Sequence, residues 1–155
     1  MKRKSFLLLL PTLLAATLIF NACSTKDPDK SDTVEFFADI SSRVLIGVAS
    51  GSSATGTFSG TYNKVTKALT YSIAYTGLTP SEAYIGVGAP GTEGIKERIL
   101  PTPTANPITG TITLDARQEN NLFFQNNYII LATTQFPRGA IRGNIIIKPF
   151  GPAGR

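Results

Sequence analysis

An all-β domain is what this sequence predicts, an antiparallel sandwich or barrel of about seven or eight short strands with Gly and Pro punctuation. Three observations carry that prediction. In ALTYSIAYT, Leu69, Tyr71, Ile73 and Tyr75 occupy every second position with Thr70, Ser72 and Ala74 between them, the pattern of a half-buried strand. In GTFSGTY, Phe58 and Tyr62 share one face, and the polar turn Asn63-Lys64-Val65-Thr66-Lys67 joins the two runs as a hairpin. Elsewhere helical periodicity is missing, except in one short stretch.

Ahead of the domain, residues 1–22 read as an export signal. Lys2, Arg3 and Lys4 form a positive start, Phe6 to Phe20 is an almost unbroken apolar run, and Asn21-Ala22-Cys23 follows. The run is short for a membrane span, which needs about 20 apolar residues. Cys23, the only cysteine, resembles the lipid-modified cysteine of bacterial lipoproteins, where the signal is cleaved before Cys and the thiol carries a diacylglycerol. Phe20 and Asn21 depart from the common lipobox, which carries an aliphatic and a small residue there. An ordinary secretory signal with an incidental cysteine and an uncleaved anchor are the alternatives. With Cys23 acylated, no disulfide is left to hold the domain, so its stability rests on a core.

Residues 23–33 hold Cys23 and the polar stretch STKDPDKSDT, which has too little apolar surface to fold and reads as a tether. The Lys26-Asp27 pair weakly resembles acidic signals that route lipoproteins of some Gram-negative bacteria to the cell surface; a solvated spacer is the plainer reading.

Residues 34–148 form the domain and 149–155 a short tail. VEFFADI and RVLIGVA supply a first pair of strands, followed by the hairpin. ITGTITL, NYIILATT and AIRGNIIIK supply three more, and DARQENNLFFQNN holds the one short helix, starting near Asp115 as N-cap. Asn120, Asn121, Asn126 and Asn127 read as turns. The stretch Gly86-Val87-Gly88-Ala89-Pro90-Gly91 fits G-x-G-x-x-G, a pattern with force only where a helix follows and receives a pyrophosphate. Gly94, Pro101, Pro103 and Pro107 leave no room for that helix, so the stretch reads as a Gly-rich connection without a nucleotide.

Charge narrows the partners. Three of the 15 basic residues lie in the signal, so the chain from Cys23 has 12 Lys and Arg against 10 Asp and Glu. Scattered basic positions and no tryptophan give no nucleic-acid footprint.

Taken in order, G-x-F-x-G-x-Y at 56–62, YTGLT at 75–79, Ala-x-Ile at 83–85 and FPRGAIRGNI at 136–145 resemble the CHRD domain, with the closing motif the most specific part. The resemblance spans roughly Val34 to Lys148. It implies an immunoglobulin-like or superoxide-dismutase-like antiparallel β-sandwich, and it leaves biochemical role open. In typical members the segment after G-L-T reads close to A-H-I-H-x-P and a later strand ends in V-H-T, inviting comparison with a metal site. Here Tyr84, Gly86 and Ala132 stand at those positions, and the chain has no histidine.

Without imidazole or a free thiolate, the usual zinc or copper ligands are missing, and no D-x-D-x-D-G calcium loop occurs. No cofactor or metal is therefore expected. Nucleophilic catalysis lacks its common base. Two carboxylates can in principle cleave a glycosidic bond, and Glu82 and Glu93 flank the Gly-rich stretch, though loop glutamates are usually solvated surface residues. Tyr84, Glu93 and Arg142 are the candidate ligand-facing residues; for Arg142 the plainer reading is a strand's polar face and a neighbouring carboxylate. Gly143 reads as relieving crowding or marking a bulge. Tyr62, Tyr71, Tyr75 and Tyr84 could line a sugar-binding face, but alternate aromatics usually face a core. The expectation is a non-enzymatic, lipid-anchored envelope module bound to the membrane through Cys23, with a protein or glycan partner and no nucleic acid. The alternative is a metal-dependent or carboxylate-based envelope hydrolase built on the 82–93 loop.

Overall fold

The computed structural model describes residues 31–47 and 50–149. Residues 1–22, read above as an export signal, Cys23, most of the stretch read as a tether and the tail beyond residue 149 lie outside the described residues.

Among the described residues, nine strands form one antiparallel sheet: β1 (Thr33–Ser41), β2 (Thr55–Asn63), β3 (Ala68–Thr76), β4 (Glu82–Val87), β5 (Ile95–Ile99), β6 (Ile108–Thr113), β7 (Asn127–Ala132), β8 (Ile141–Asn144) and β9 (Ile146–Ile147). Their order is β5-β4-β7-β8-β1-β2-β3-β6, with β9 also pairing β1. The sheet curls into a half-barrel, so its two halves share one core. Alternation places that core: Phe36, Ala38 and Ile40 of β1, Phe58 and Tyr62 of β2, and Leu69, Tyr71 and Ile73 of β3 point inward against Ile85, Ile129, Leu131 and Ile141. The β2–β3 hairpin has the expected register, Phe58 opposite Ile73 and Tyr62 opposite Leu69.

Helix α1 (Ala116–Phe123) connects β6 to β7. At eight residues it is too short to stand alone, so its cap and packing hold it. Asp115 Oδ1 accepts from the Gln118 N–H at 2.8 Å, and Gln118 Oε1 accepts from the Asp115 N–H at 3.1 Å, completing a capping box. Leu122 enters the core, and the Phe123 ring meets Phe36 and Tyr62 edge-on at 5.8 and 5.7 Å. Asp115→Ala is expected to destabilise the fold by about 1 kcal/mol, read as a lowered urea midpoint with unchanged slope.

Lys67, at the hairpin turn, pairs with Glu119 of α1 at 2.8 Å. That hydrogen bond holds the Glu119 carboxyl below its ordinary range. A depressed carboxyl adds stability above its unfolded value, about 4.3, and loses it as pH falls through the lower folded value. Glu119→Gln should therefore flatten the decline of melting temperature below about pH 4.3; an unchanged acid limb would remove the pair from the account.

Several elements differ from the sequence reading. RVLIGVA supplies no strand among the described residues: Ser42–Val44 is a 3₁₀ turn, tied down by Ser42 Oγ donating to Ser52 O at 2.6 Å. Farther along the same connection, Ser50 Oγ donates to Ala140 O at 2.7 Å. The Gly-rich stretch is a hairpin connection whose flanks, EAYIGV and IKERI, are β4 and β5. AIRGNIIIK breaks at fully buried Ile145, passing from β8 onto β9. Asn120 and Asn121 are helical and Asn127 is a buried strand residue, so only Asn126 lies in a turn or connection. Gly143 does relieve crowding, since a Cβ there would sit 2.5 Å from Asp39 O. Tyr62 and Tyr71 are buried in the core and Tyr75 packs against it, so no sugar-facing row forms.

Candidate functional site

β4 and β7 run antiparallel with Glu82 opposite Ala132, Tyr84 opposite Ile130 and Gly86 opposite Tyr128. Alternation sends Ala83, Ile85, Ile129 and Leu131 into the main core. The opposite face carries a second cluster of Tyr84, Tyr128 and Ile130. β8 adds Arg142 to that outer face, opposite Ile130.

Arg142 is 1% exposed, so the reading of it as a solvent-facing strand residue paired with a carboxylate does not hold. Its guanidinium stacks on Tyr128, with Cζ 3.7 Å from the ring centroid, a cation–π contact. Nη1 donates to the backbone carbonyls of Thr92 at 2.8 Å and Glu93 at 3.3 Å. Nε and Nη2 are buried and have no hydrogen-bond partner among the described residues. The nearby Glu93 carboxylate is engaged by Arg138 instead. Burial pulls the Arg142 pKa below its ordinary value, opposed by the two neighbouring tyrosines.

Tyr84 is 7% exposed and its hydroxyl donates to Arg138 O at 3.3 Å. Lys96 Nζ lies 4.5 Å from its ring centroid. Burial, helped by Tyr128 and Glu82, pushes the phenol up to about 12, so it keeps its proton at neutral pH. Tyr128 likewise titrates high through burial, and its hydroxyl donates to Ile95 O at 3.1 Å.

All three ligand-facing candidates, Tyr84, Glu93 and Arg142, line one cleft of about 250 Å³, together with Lys96, Tyr128 and Arg138. Leu45, Ile46, Ile130 and Pro137 supply apolar wall. Three cations and one carboxylate border it, and even with Glu82, the partner of Lys96, the balance is positive. The cleft can hold an anion against fixed donors. Burial keeps the Tyr84 phenol protonated, and the one carboxylate among the lining side chains pairs with Arg138. Glu82 and Glu93 sit in separate ion pairs, with Lys96 and Arg138, rather than facing a shared substrate position.

The positions that the resemblance assigns to imidazoles, Tyr84, Gly86 and Ala132, do fall on one face of two paired strands. The residues present do not fit a metal there. Gly86 and Ala132 offer no side-chain donor, the phenol is protonated, and the Arg142 cation opposes a second positive charge. Among the described residues, no group of three or more His, Cys, Asp or Glu side chains is placed to hold an ion.

Two other regions are less suited. An open groove of about 590 Å³ runs over the outer face of β1, β2, β3 and β6, where Ser and Thr side chains, among them the Thr70–Thr111 pair at 3.0 Å, alternate with apolar surface from Phe37 and with Glu35 and Lys148, which pair with each other. Beside α1, Glu97 is buried, its side chain 5% exposed, but it is fully engaged by Arg117 at 3.0 Å and by the amides of Asn127 and Asn121 at 3.0 and 3.3 Å. That network is structural.

Lys96, Tyr128 and Arg138 were not singled out by the sequence. Tyr128 had a readable signal: in NYIILA it alternates with Ile129 and so faces away from the core. Lys96 and Arg138 had none, because Lys96 lies on the charged edge strand β5 and Arg138 in the β7–β8 connection, and only tertiary packing brings the two to one cleft.

The family model of the CHRD domain matches residues 36–145. Comparisons with curated proteins and with solved structures find no match.

Proposed function

This chain belongs to the CHRD domain family, and from that premise we propose that it is a non-enzymatic binding module of the bacterial cell envelope, anchored by a lipid on Cys23 and tethered through the residues between Cys23 and β1, which begins at Thr33. The observation that carries the binding role is the outer cleft. Where typical relatives place imidazoles, this chain has a protonated phenol, two side chains without donors and a buried arginine, a set suited to recognition and unsuited to metal chemistry. The metal site of the family is lost in this copy on this reading, and an envelope protein or glycan is the partner class.

The anchor is tested by fractionation. The exported full chain should partition with membranes, and Cys23→Ala should move it to the soluble fraction. Unchanged partitioning of the variant would remove the lipid from the proposal. The metal reading is tested separately, on protein without tag histidines: copper, zinc, calcium and magnesium should raise neither metal content nor melting temperature. Stoichiometric uptake with a raised melting temperature would restore a metal site built on oxygen ligands.

A further inference from the structure

Buried polar groups in folded proteins almost always have partners, and a buried unpaired charge is more costly still. Arg142 breaks that rule on one side only. Its Nη1 is held by two backbone carbonyls and the Tyr128 ring covers one plane of the guanidinium, while Nε and Nη2 have no partner among the described residues. Nε and Nη2 together form the side edge of a guanidinium, whose parallel N–H bonds match the two oxygens of a carboxylate. This side chain borders the cleft, and its buried Nε/Nη2 donor pair is left unanswered by the protein itself.

We propose that the Arg142 cleft binds a small carboxylate, held by the Nε/Nη2 edge of Arg142. This rests on reading the cleft as a binding site, and it adds the chemical class of the ligand. Three features support it beyond the free edge. Lys96 and Arg138 line the same cleft, so the local charge favours an anion. Tyr128 and the Thr92 and Glu93 carbonyls fix the guanidinium before any ligand arrives, which lowers the ordering cost of binding. The walls of Leu45, Ile46, Ile130 and Pro137 suit a short branched apolar group attached to the carboxylate, and about 250 Å³ admits an acid of that size.

The test uses the full chain in detergent and follows the Nε–H signal of Arg142 by nitrogen-edited NMR while isovalerate, its neutral amide isovaleramide, or sulfate is added. Saturable displacement of that signal by isovalerate, with at least about tenfold weaker binding of the amide and of sulfate, is the expected result. Arg142→Met has no Nε–H to follow and is read by melting: the rise in melting temperature that isovalerate gives the unaltered chain should be lost, while the ligand-free melting temperature stays equal or higher, because a buried unpaired charge has been replaced by an apolar side chain of similar length. Should that variant fail to fold, the titration of the unaltered chain decides alone. Equal binding of isovalerate and isovaleramide would overturn the carboxylate assignment and leave the cleft a binding site. Equal binding of sulfate would reduce it to a charge trap and overturn the planar recognition. No response to any of the three would overturn both the carboxylate and the cleft as a ligand site.

Discussion

Phe58→Ala is expected to destabilise the domain by about 3–5 kcal/mol, the largest effect of any single truncation considered. Phe58 is fully buried on β2, between Ala38 of β1 and Ile73 of β3, so its ring sits where three strands contribute to the common core. Truncation removes both the transfer free energy and the contacts of the ring. How far the site collapses decides where in that range the cost falls. Collapse is limited here, because the ring lies over Gly60, which has no side chain to move into the space. A domain of this size has about 5–15 kcal/mol of stability in total, so the variant should be partly unfolded at physiological temperature. In urea the midpoint should drop by more than about 1 M with unchanged slope. A drop of a few tenths molar would mean that neighbouring side chains close the void.

Gly86→Ala should cost about 1–3 kcal/mol by overpacking, and the cost should depend on one ring. A Cβ at Gly86 would lie 2.2 Å from two carbons of Tyr128 and 2.4 Å from its hydroxyl oxygen. The ring has little freedom to retreat. Arg142 lies against it at 3.7 Å, its hydroxyl is tied to Ile95 O at 3.1 Å, and Gly94 is close enough that a Cβ there would meet the ring at 2.7 Å. At roughly 2–8 °C per kcal/mol, the melting temperature should fall several degrees or more. In a Tyr128→Ala background the obstruction is gone, so the added cost of Gly86→Ala should largely vanish, giving a coupling energy of about 0.5–3 kcal/mol. Equal costs in both backgrounds would mean that the glycine serves the β4 backbone rather than the Tyr128–Arg142 stack.

The two expectations also show what was legible beforehand. Phe58 is readable from GTFSGTY, because a period of two survives in the sequence wherever one strand face is buried and the other is solvated. The Asp115 cap is readable for a related reason: both partners of the capping box lie within four residues, and the chemistry is local. β5 was missed because IKERI is an edge strand with charged residues and exposed Ile95 and Ile99, so alternation carries no burial signal. RVLIGVA misled in the opposite sense. Its apolar residues read as a strand, yet Leu45 and Ile46 serve as walls of the outer cleft.

The cleft itself divides along the same line. Tyr84, Glu93 and Arg142 were each singled out from the chain, but nothing in the sequence joins them. Their meeting depends on β4 pairing with β7 across about 40 positions of chain and on β8 lying beside β7, long-range pairings whose register is set by the core. Arg142 is the sharpest case. Between Ile141 and Gly143 it reads as the polar member of an alternating strand, and alternation correctly puts it on the face opposite the core. Whether that face meets water is decided by other segments: the Thr92–Gly94 turn, Leu45–Ile46 and Pro137–Arg138 fold over it. The sequence by itself therefore determined the strand faces, the hairpin, the helix cap and the family, because each depends on neighbours in the chain or on a motif kept intact. Only the tertiary structure decided that an outward arginine is buried with one edge unpaired, because covering a sheet face is a property of loops distant in sequence and invisible to any local period.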